Sequence, residues 1–233
     1  MKGSHSKLIL IRHGQSYWNK RNIFTGWVDV PLSPKGIKEA LSAGKSVSHI
    51  PFDMIFTSSL VRAQMTAMLM MSVHESSKTP VFMHSGEGKI QSWGKSANES
   101  FKESTIPVIP AWQLNERMYG NLQGFDKDEM REKFGEEQIK IWRRSFDVAP
   151  PEGESLEMTA KRSIPYFEKE VLPFLHSGKN VLIAAHGNSL RSIVMDLDNL
   201  SKEEVLSLEI PTGEPLCYHF ASGHFKKVSL SQS

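Results

Sequence analysis

Leu8-Ile9-Leu10-Ile11-Arg12-His13-Gly14-Gln15-Ser16 is the stretch on which the fold of this chain turns. Four consecutive apolar residues, two of them β-branched, predict a short strand buried on both faces, as in parallel sheets. The run passes straight into a guanidinium and an imidazole, which places both at the strand's carboxyl end. In open α/β sheets that edge is where ligands bind. Gly14 permits a tight turn and a close approach of a ligand to the main chain. An imidazole nucleophile, His13, beside an anion-holding cation, Arg12, is suited to phosphoryl transfer.

A single Arg-His-Gly is a weak pattern, and a lone histidine after a strand is more often structural. The chain, however, contains the arrangement twice. Asn180-Val181-Leu182-Ile183-Ala184-Ala185-His186-Gly187-Asn188-Ser189 is again an apolar run that ends in His-Gly. Leu190, Ile193, Val194 and Leu197 then recur at helical spacing, with Asn188 or Ser189 as N-cap, so helix N–H groups face the strand end. Packing gives no reason for two parallel strands to deliver His-Gly to one sheet edge.

With 233 residues, 39% hydrophobic and 23% charged, the chain has enough apolar surface for a sizeable α/β core. A net charge of +2 is too small to suggest nucleic acid or an anionic membrane as the main partner, so any anion site must come from local clustering. Cys217 is the one cysteine, which rules out an intramolecular disulfide and favours a reducing cytoplasm. No run approaches the ~20 apolar residues of a membrane span, and no signal-peptide pattern opens the chain.

Ser33-Pro34 opens a helix over 34–48, with Ile37, Leu41, Gly44 and Val47 as its buried stripe. A second strand is expected at 52–56. Thr57-Ser58-Ser59 then caps a helix that carries Arg62 in its first turn and Met65, Met68, Leu69 and Met71 toward the core. From about 75 to 112 the chain reads as an irregular excursion, a surface insertion with extended pieces at 81–83 and 106–109. Helices follow at 126–134, 136–146, 155–174 (interrupted at Pro165 and Pro173), 189–197 and 201–207. A hairpin at 216–220 and 224–230 closes the chain. The expected architecture over 1–233 is a single three-layer α/β domain, a mostly parallel sheet with helices on both faces.

Arg12, Arg62 and His186 can supply the donors that a phosphoryl group of roughly two negative charges requires. Glu116 suits the general acid and base, although a surface carboxylate paired with Arg117 is the plainer reading of that residue. Arg143-Arg144 likewise reads alone as a solvated helix face.

Taken together, Arg12-His13-Gly14, Phe24-Thr25-Gly26-Trp27, Leu114-Asn115-Glu116-Arg117-Met118-Tyr119-Gly120, Trp142-Arg143-Arg144 and Ala185-His186-Gly187-Asn188-Ser189-Leu190-Arg191 occur in this order. In this the chain resembles the 2,3-bisphosphoglycerate-dependent phosphoglycerate mutases of the histidine phosphatase superfamily. The likeness spans nearly the whole chain except roughly residues 75–110 and the ends. It implies a phosphoglycerate-mutase-like fold in which His13 becomes phosphorylated, Glu116 gives and takes the proton, and Arg12, Arg62 and His186 hold the phosphoryl group. It further implies that Asn19, Thr25, Gly26, Arg117, Tyr119, Lys127, Arg143, Arg144, Gly187 and Asn188 bind the rest of the substrate. The implied reaction interconverts 3-phosphoglycerate and 2-phosphoglycerate, primed by 2,3-bisphosphoglycerate and without a metal. Small phosphoglycerates are then the partners, and self-association into a homo-oligomer is left open.

Gln15 stands where many members have Glu, and the chain stops soon after Lys227, short of the long tail of some members. The balance of mutase and phosphatase activity is therefore open. A histidine phosphatase with water as acceptor is the nearest rival. The second cation cluster, Lys127 with Arg143-Arg144, speaks against it, because only a mutase must hold both ends of its substrate. A silent phospho-ligand scaffold is expected to lack His13, His186 or Glu116, and all three are present.

Overall fold

In the computed structural model, which describes residues 5–76, 78–84 and 103–230, the opening apolar run forms strand β1 (Ser6–Arg12), with residues 8 to 11 wholly buried. Successive side chains of a strand point to opposite faces. Leu8 and Leu10 accordingly pack with Phe56, Phe167, Ile183 and Ile193. Ile9 and Ile11 pack with Val47, Ile55, Ala67 and Leu182 on the other side. A strand that is apolar on both faces needs helices on both faces, and the rest of the chain supplies them.

The remaining strands are β2 (Met54–Ser58), β3 (Thr79–Phe82), β4 (Thr105–Ala111), β5 (Val181–Ala185), β6 (Pro215–Ala221) and β7 (His224–Val228). They form one seven-stranded sheet of order β3-β4-β2-β5-β1-β6-β7. Neighbours from β3 through β1 are parallel, whereas β6 and β7 are antiparallel additions beside β1. The β6–β7 turn has Ser222 at φ 52° and Gly223 at φ 81°, both left-handed, the backbone that suits a two-residue hairpin.

The helices are α1 (Tyr17–Lys20), α2 (Pro34–Ser46), α3 (Val61–Ser72), α4 (Lys127–Phe134), α5 (Glu136–Arg144), α6 (Leu156–Tyr166), α7 (Leu172–His176), α8 (Gly187–Leu197) and α9 (Lys202–Ser207). Ala43 of α2 and Ala67, Met70 and Met71 of α3 cover one sheet face. Leu175 of α7 and Leu190, Ile193 and Val194 of α8 cover the other. This is the three-layer α/β arrangement expected from the sequence. Among the described residues no helix is long and apolar enough to cross a membrane.

Several local expectations need correction. The buried stripe of α2 is Gly36, Ala40, Ala43 and Gly44, while Ile37 and Leu41 are only half-buried. Small residues face inward because the backbones nearly touch: a Cβ on Gly44 would stand 2.4 Å from the Met70 carbonyl oxygen, and one on Gly36 2.1 Å from that of Gln15. Gly14 serves the same contact. Its added Cβ would meet the Gly36 carbonyl oxygen at 2.3 Å, so Gly14 permits a close approach to α2.

Strand β2 runs on to Ser58, so the N-cap of α3 is Leu60, which makes no side-chain cap bond. Helix α8 begins at Gly187 with His186, not Asn188 or Ser189, in the capping position. Between α6 and α7 the chain stays helical through a wider turn, Phe167–Val171. Pro165 and Pro173 thus flank a widened turn, the break in regularity expected of them where the i→i−4 ladder loses donors. Of the excursion expected at about 75–112, Thr79–Phe82 and Thr105–Ala111 are sheet strands. The extended pieces expected at 81–83 and 106–109 fall on these strands, which run further despite Pro80, Pro107 and Pro110, residues with no N–H for a ladder. Residues 85–102 of that stretch lie outside the described residues.

Candidate active site

Register brings the two His-Gly segments together. Arg12 of β1 pairs with Ala185 of β5, and the His13 N–H donates to the Ala185 carbonyl at 3.0 Å. The imidazoles that follow lie edge to face, ring centroids 4.9 Å apart. Strand β2, on the far side of β5, ends at Ser58, whose Oγ is 2.7 Å from His186 Nε2. Three parallel strands thus deliver their polar ends to one place.

His13 is 2% exposed. Its Nδ1–H donates to the Gly14 carbonyl at 2.7 Å, which leaves the lone pair on Nε2. That lone pair receives a long bond, 3.3 Å, from Arg62 Nε. Burial, then Arg62 and Arg12, hold the His13 pKa well below its ordinary value. Burial and the charge of Arg62 do the same to His186. Both rings are therefore neutral in the folded enzyme, as a nitrogen nucleophile requires.

That neutrality sets a pH dependence of stability. Below about pH 6.5 the unfolded chain takes a proton on each of these histidines and the folded chain does not. Stability is fully present above that pH and falls below it, on the order of 1.4 kcal/mol per pH unit for each histidine. Thermal unfolding between pH 7.5 and 5.5 is expected to show the fall, with a shallower slope in His13→Ala. Equal slopes in the two proteins would contradict it.

Arg62, in the first turn of α3, is 1% exposed. It donates from Nη1 to Val28 O at 3.0 Å and from Nη2 to Gly26 O at 2.7 Å. Burial lowers its pKa to about 10, so it remains a fixed cation at neutral pH. Arg12 donates from Nη1 to Ile210 O at 2.9 Å. Arg12 Nε and His186 Nδ1 are buried and have no hydrogen-bond partner among the described residues. Such orphaned polar groups are expensive in a finished structure and mark a place for a ligand's acceptors.

Glu116 is 8% exposed. Its Oε1 accepts from Arg117 N–H at 2.8 Å, Asn188 N–H at 3.1 Å and Asn188 Nδ2 at 2.9 Å. A Cβ added to Gly187 would lie 3.7 Å from Glu116 Oε2 and 3.6 Å from Arg12 Cζ, so Oε2 and the guanidinium share the space beside that glycine. Burial pushes the Glu116 pKa up, but the Arg117 N–H, Arg12, Asn188 and Arg62 together outweigh it and leave it below the ordinary value. The resting group is a carboxylate with one oxygen uncommitted to these bonds.

The loop that carries Glu116 is clamped from below by α6. Arg162 donates from Nε and Nη2 to Glu154 at 2.9 and 2.8 Å. It also donates to the carbonyls of Gln113, Asn115 and Glu116 at 2.7, 3.0 and 3.0 Å. Glu154 in turn accepts from Met118 N–H at 3.0 Å. Lysine keeps the charge but not the planar fork. Arg162→Lys is therefore expected to lower kcat by about 10²-fold through misplacement of Glu116, with KM within about twofold. Steady-state kinetics of the variant give the answer, and an unchanged kcat would dismiss the clamp.

Asn19, Thr25, Tyr119, Lys127, Arg143, Arg144, Gly187 and Asn188 all line the same cavity as Arg12, His13, Arg62 and Glu116. Burial and Arg143 lower the pKa of Lys127. Arg143 is itself lowered by burial and partly by Arg144, Arg131 and Arg117. This crowding of cations is a repulsion that an anion relieves. Three expected residues stand off the cavity wall. Gly26 contributes its carbonyl to Arg62. His186, wholly buried, stands beside His13. Arg117, 1% exposed, donates to the Trp142 and Arg143 carbonyls at 3.1 Å each. It thereby fixes the end of α5 that presents Arg143 and Arg144, and does not itself face the space.

Ile23, Phe24, Arg191, Glu209 and Ile210 also line the cavity, and sequence reasoning gave none of them a role. Arg191 had a signal: on α8 it lies one helical turn from Gly187, on the same side. Glu209, from the segment between α9 and β6, had none. Its Oε1 lies 2.9 Å from Arg144 Nη1 and 3.4 Å from Arg191 Nη2. Among the described residues no three or more His, Cys, Asp or Glu gather as a metal site.

A model of the histidine phosphatase superfamily, branch 1, matches residues 8–84 and 95–233, and the chain belongs to that superfamily. It is 60% identical over 221 residues to the 2,3-bisphosphoglycerate-dependent phosphoglycerate mutase of Protochlamydia amoebophila (strain UWE25), covering 95% of this chain and 98% of that one. Identity to the 2,3-bisphosphoglycerate-dependent phosphoglycerate mutase 1 of Arabidopsis thaliana is 57%, over 97% of this chain and 68% of that one. The Chlamydia muridarum (strain MoPn / Nigg) mutase of the same name is 53% identical over 96% and 98%. Within the superfamily the chain thus belongs with the 2,3-bisphosphoglycerate-dependent phosphoglycerate mutases. Among solved structures, the alpha-ribazole phosphatase from Shigella flexneri superposes with a TM-score of 0.73 at 20% identity, over 95% of this chain and 94% of that one. Phosphoglycerate mutase from Bacillus anthracis gives 0.71 at 20%, over 99% and 96%. These two likenesses establish the fold alone.

Proposed function

We propose that this enzyme interconverts 3-phosphoglycerate and 2-phosphoglycerate through a phosphohistidine at His13, in the cytoplasm. The observation that carries the reading is the cavity that His13, Glu116 and a second cation group, Lys127, Arg143 and Arg144, line together. 2,3-Bisphosphoglycerate, when bound, supplies the phosphoryl group that His13 carries at the start. The unpartnered Arg12 Nε and His186 Nδ1 fit it as donors to that group, and Lys127, Arg143 and Arg144 suit its other end.

With Nε2 phosphorylated, a substrate hydroxyl attacks the phosphorus in line. The P–N bond breaks, its electron pair returns to Nε2, and the new P–O bond forms. The hydroxyl proton goes to Glu116, which starts ionised as a base must. Arg12, Arg62 and His186 stabilise the equatorial oxygens, where positioning and charge supply most of the rate. The glycerate then turns while the second cation group keeps hold of it. Its other phosphoryl group passes back to Nε2, and Glu116 returns the proton to the leaving oxygen.

Conversion of 3-phosphoglycerate, assayed with and without added 2,3-bisphosphoglycerate, tests the reading. Strong stimulation is expected, with little inorganic phosphate released. Release of phosphate alone would assign the site to a hydrolase instead.

A further inference from the structure

We infer that Ser58 is a positioning residue that fixes which nitrogen of His186 carries the proton, so that His186 Nδ1–H is the donor offered to a phosphoryl oxygen beside His13. A neutral imidazole has one N–H, so as an anion holder His186 works only if that hydrogen is on the correct side. The His13 tautomer is fixed by a carbonyl, which can only accept. The partner of His186 is a hydroxyl, which can act either way, and the ambiguity is resolved one step further out.

Ser58 Oγ has two contacts. It accepts from the Leu60 N–H at 3.1 Å and lies 2.7 Å from His186 Nε2. Among the described residues the hydroxyl hydrogen has no other hydrogen-bond acceptor. If His186 Nε2–H donated to Ser58, the hydroxyl hydrogen would be stranded in a residue of zero exposure. With Ser58 O–H donating to Nε2, the hydroxyl is satisfied on both sides and the one group left open is Nδ1–H. An open acceptor would repel a phosphoryl oxygen, whereas an open donor binds it. Leu60, at the N-cap of α3 with no side-chain bond of its own, completes the chain of donors Leu60 N–H, Ser58 O–H and His186 Nδ1–H. The path explains why β2 extends to Ser58 and why α3 forgoes an ordinary cap.

The proposal rests on the phosphohistidine reading, yet its first test needs no substrate. Long-range 1H–15N correlation on ligand-free enzyme labelled at histidine is expected to show His186 as the Nδ1–H tautomer. In Ser58→Ala the tautomer should change or become mixed. kcat should fall about 10²-fold, the usual loss for one donor to a developing anion, with KM within about twofold. Affinity for inorganic vanadate, the probe for a bound phosphoryl-like group, should weaken about tenfold or more. Ser58→Thr, which keeps the hydroxyl on a strand-compatible side chain, should restore tautomer and rate together. An Nε2–H tautomer in the parent enzyme overturns the proposal, even if Ser58→Ala does not fold. So does a Ser58→Ala enzyme that keeps the Nδ1–H form and the parent kcat. Failure of bisphosphoglycerate stimulation with the Nδ1–H form observed would fault the mutase reading and leave the tautomer assignment standing.

Discussion

His13→Ala is expected to abolish phosphoryl transfer, by about 10⁴-fold or more, because no neighbour can replace the nucleophile. His186 is the nearest imidazole, 4.9 Å away between ring centroids, but its Nε2 is engaged by Ser58 and its Nδ1 is the proposed proton-bearing side. Arg12 and Arg62 are cations without a usable lone pair. The parent enzyme incubated with 32P-labelled bisphosphoglycerate should take up about one acid-labile phosphoryl group per chain, and the variant none. The fold should survive the change. His13 contributes one main-chain bond to β5 that alanine retains, and its side-chain bond to Gly14 is local. Removal of the ring leaves Arg62 anchored on Val28 and Gly26, so the variant should still bind vanadate weakly. Labelling of the variant at the parent level would move the nucleophile elsewhere and remove the basis of the mechanism.

The sheet edge was legible because its signals are local and strong: two apolar runs, each closed by His-Gly, in a pattern that only parallel strands satisfy. What could not be read was what depends on backbones meeting. The inward face of α2 was assigned to Ile37, Leu41, Gly44 and Val47. Gly44 and Val47 are buried, yet contact with the loop after β1 and with α3 is so close that Gly36, Ala40 and Ala43 take the other buried positions. Apolar periodicity measures preference for burial and says nothing of the space at hand. β3 and β4 were read only as extended pieces of a surface insertion, whereas they pair into the sheet despite the missing proline donors. In the cavity, motif residues from distant stretches converge, while Gly26, Arg117 and His186 are not among its lining. Glu209 was invisible because its partners, Arg144 and Arg191, are distant or on another element.

Glu116→Gln is expected to lower kcat by roughly 10²–10⁴-fold, the usual contribution of a positioned acid and base, while the substrate KM stays level or falls. The amide oxygen can keep the bonds from Arg117 N–H and Asn188 that orient Oε1. The amide nitrogen then occupies the place of Oε2 beside Arg12, where it can neither take a proton nor return one. It also removes a negative charge that offsets Arg12 and Arg62, so the cavity becomes more attractive to anions even as turnover slows. A loss of rate with tighter binding separates this effect from simple damage to the pocket. Leaving-group dependence gives a second split. Phosphorylation of His13 by p-nitrophenyl phosphate, whose leaving group departs as an anion near neutrality, needs little help from an acid and should be nearly as fast in the variant as in the parent. Transfer to and from the alkoxides of phosphoglycerate should fall by the full factor. If both donors slow equally, Glu116 holds the phosphoryl group and does not move the proton.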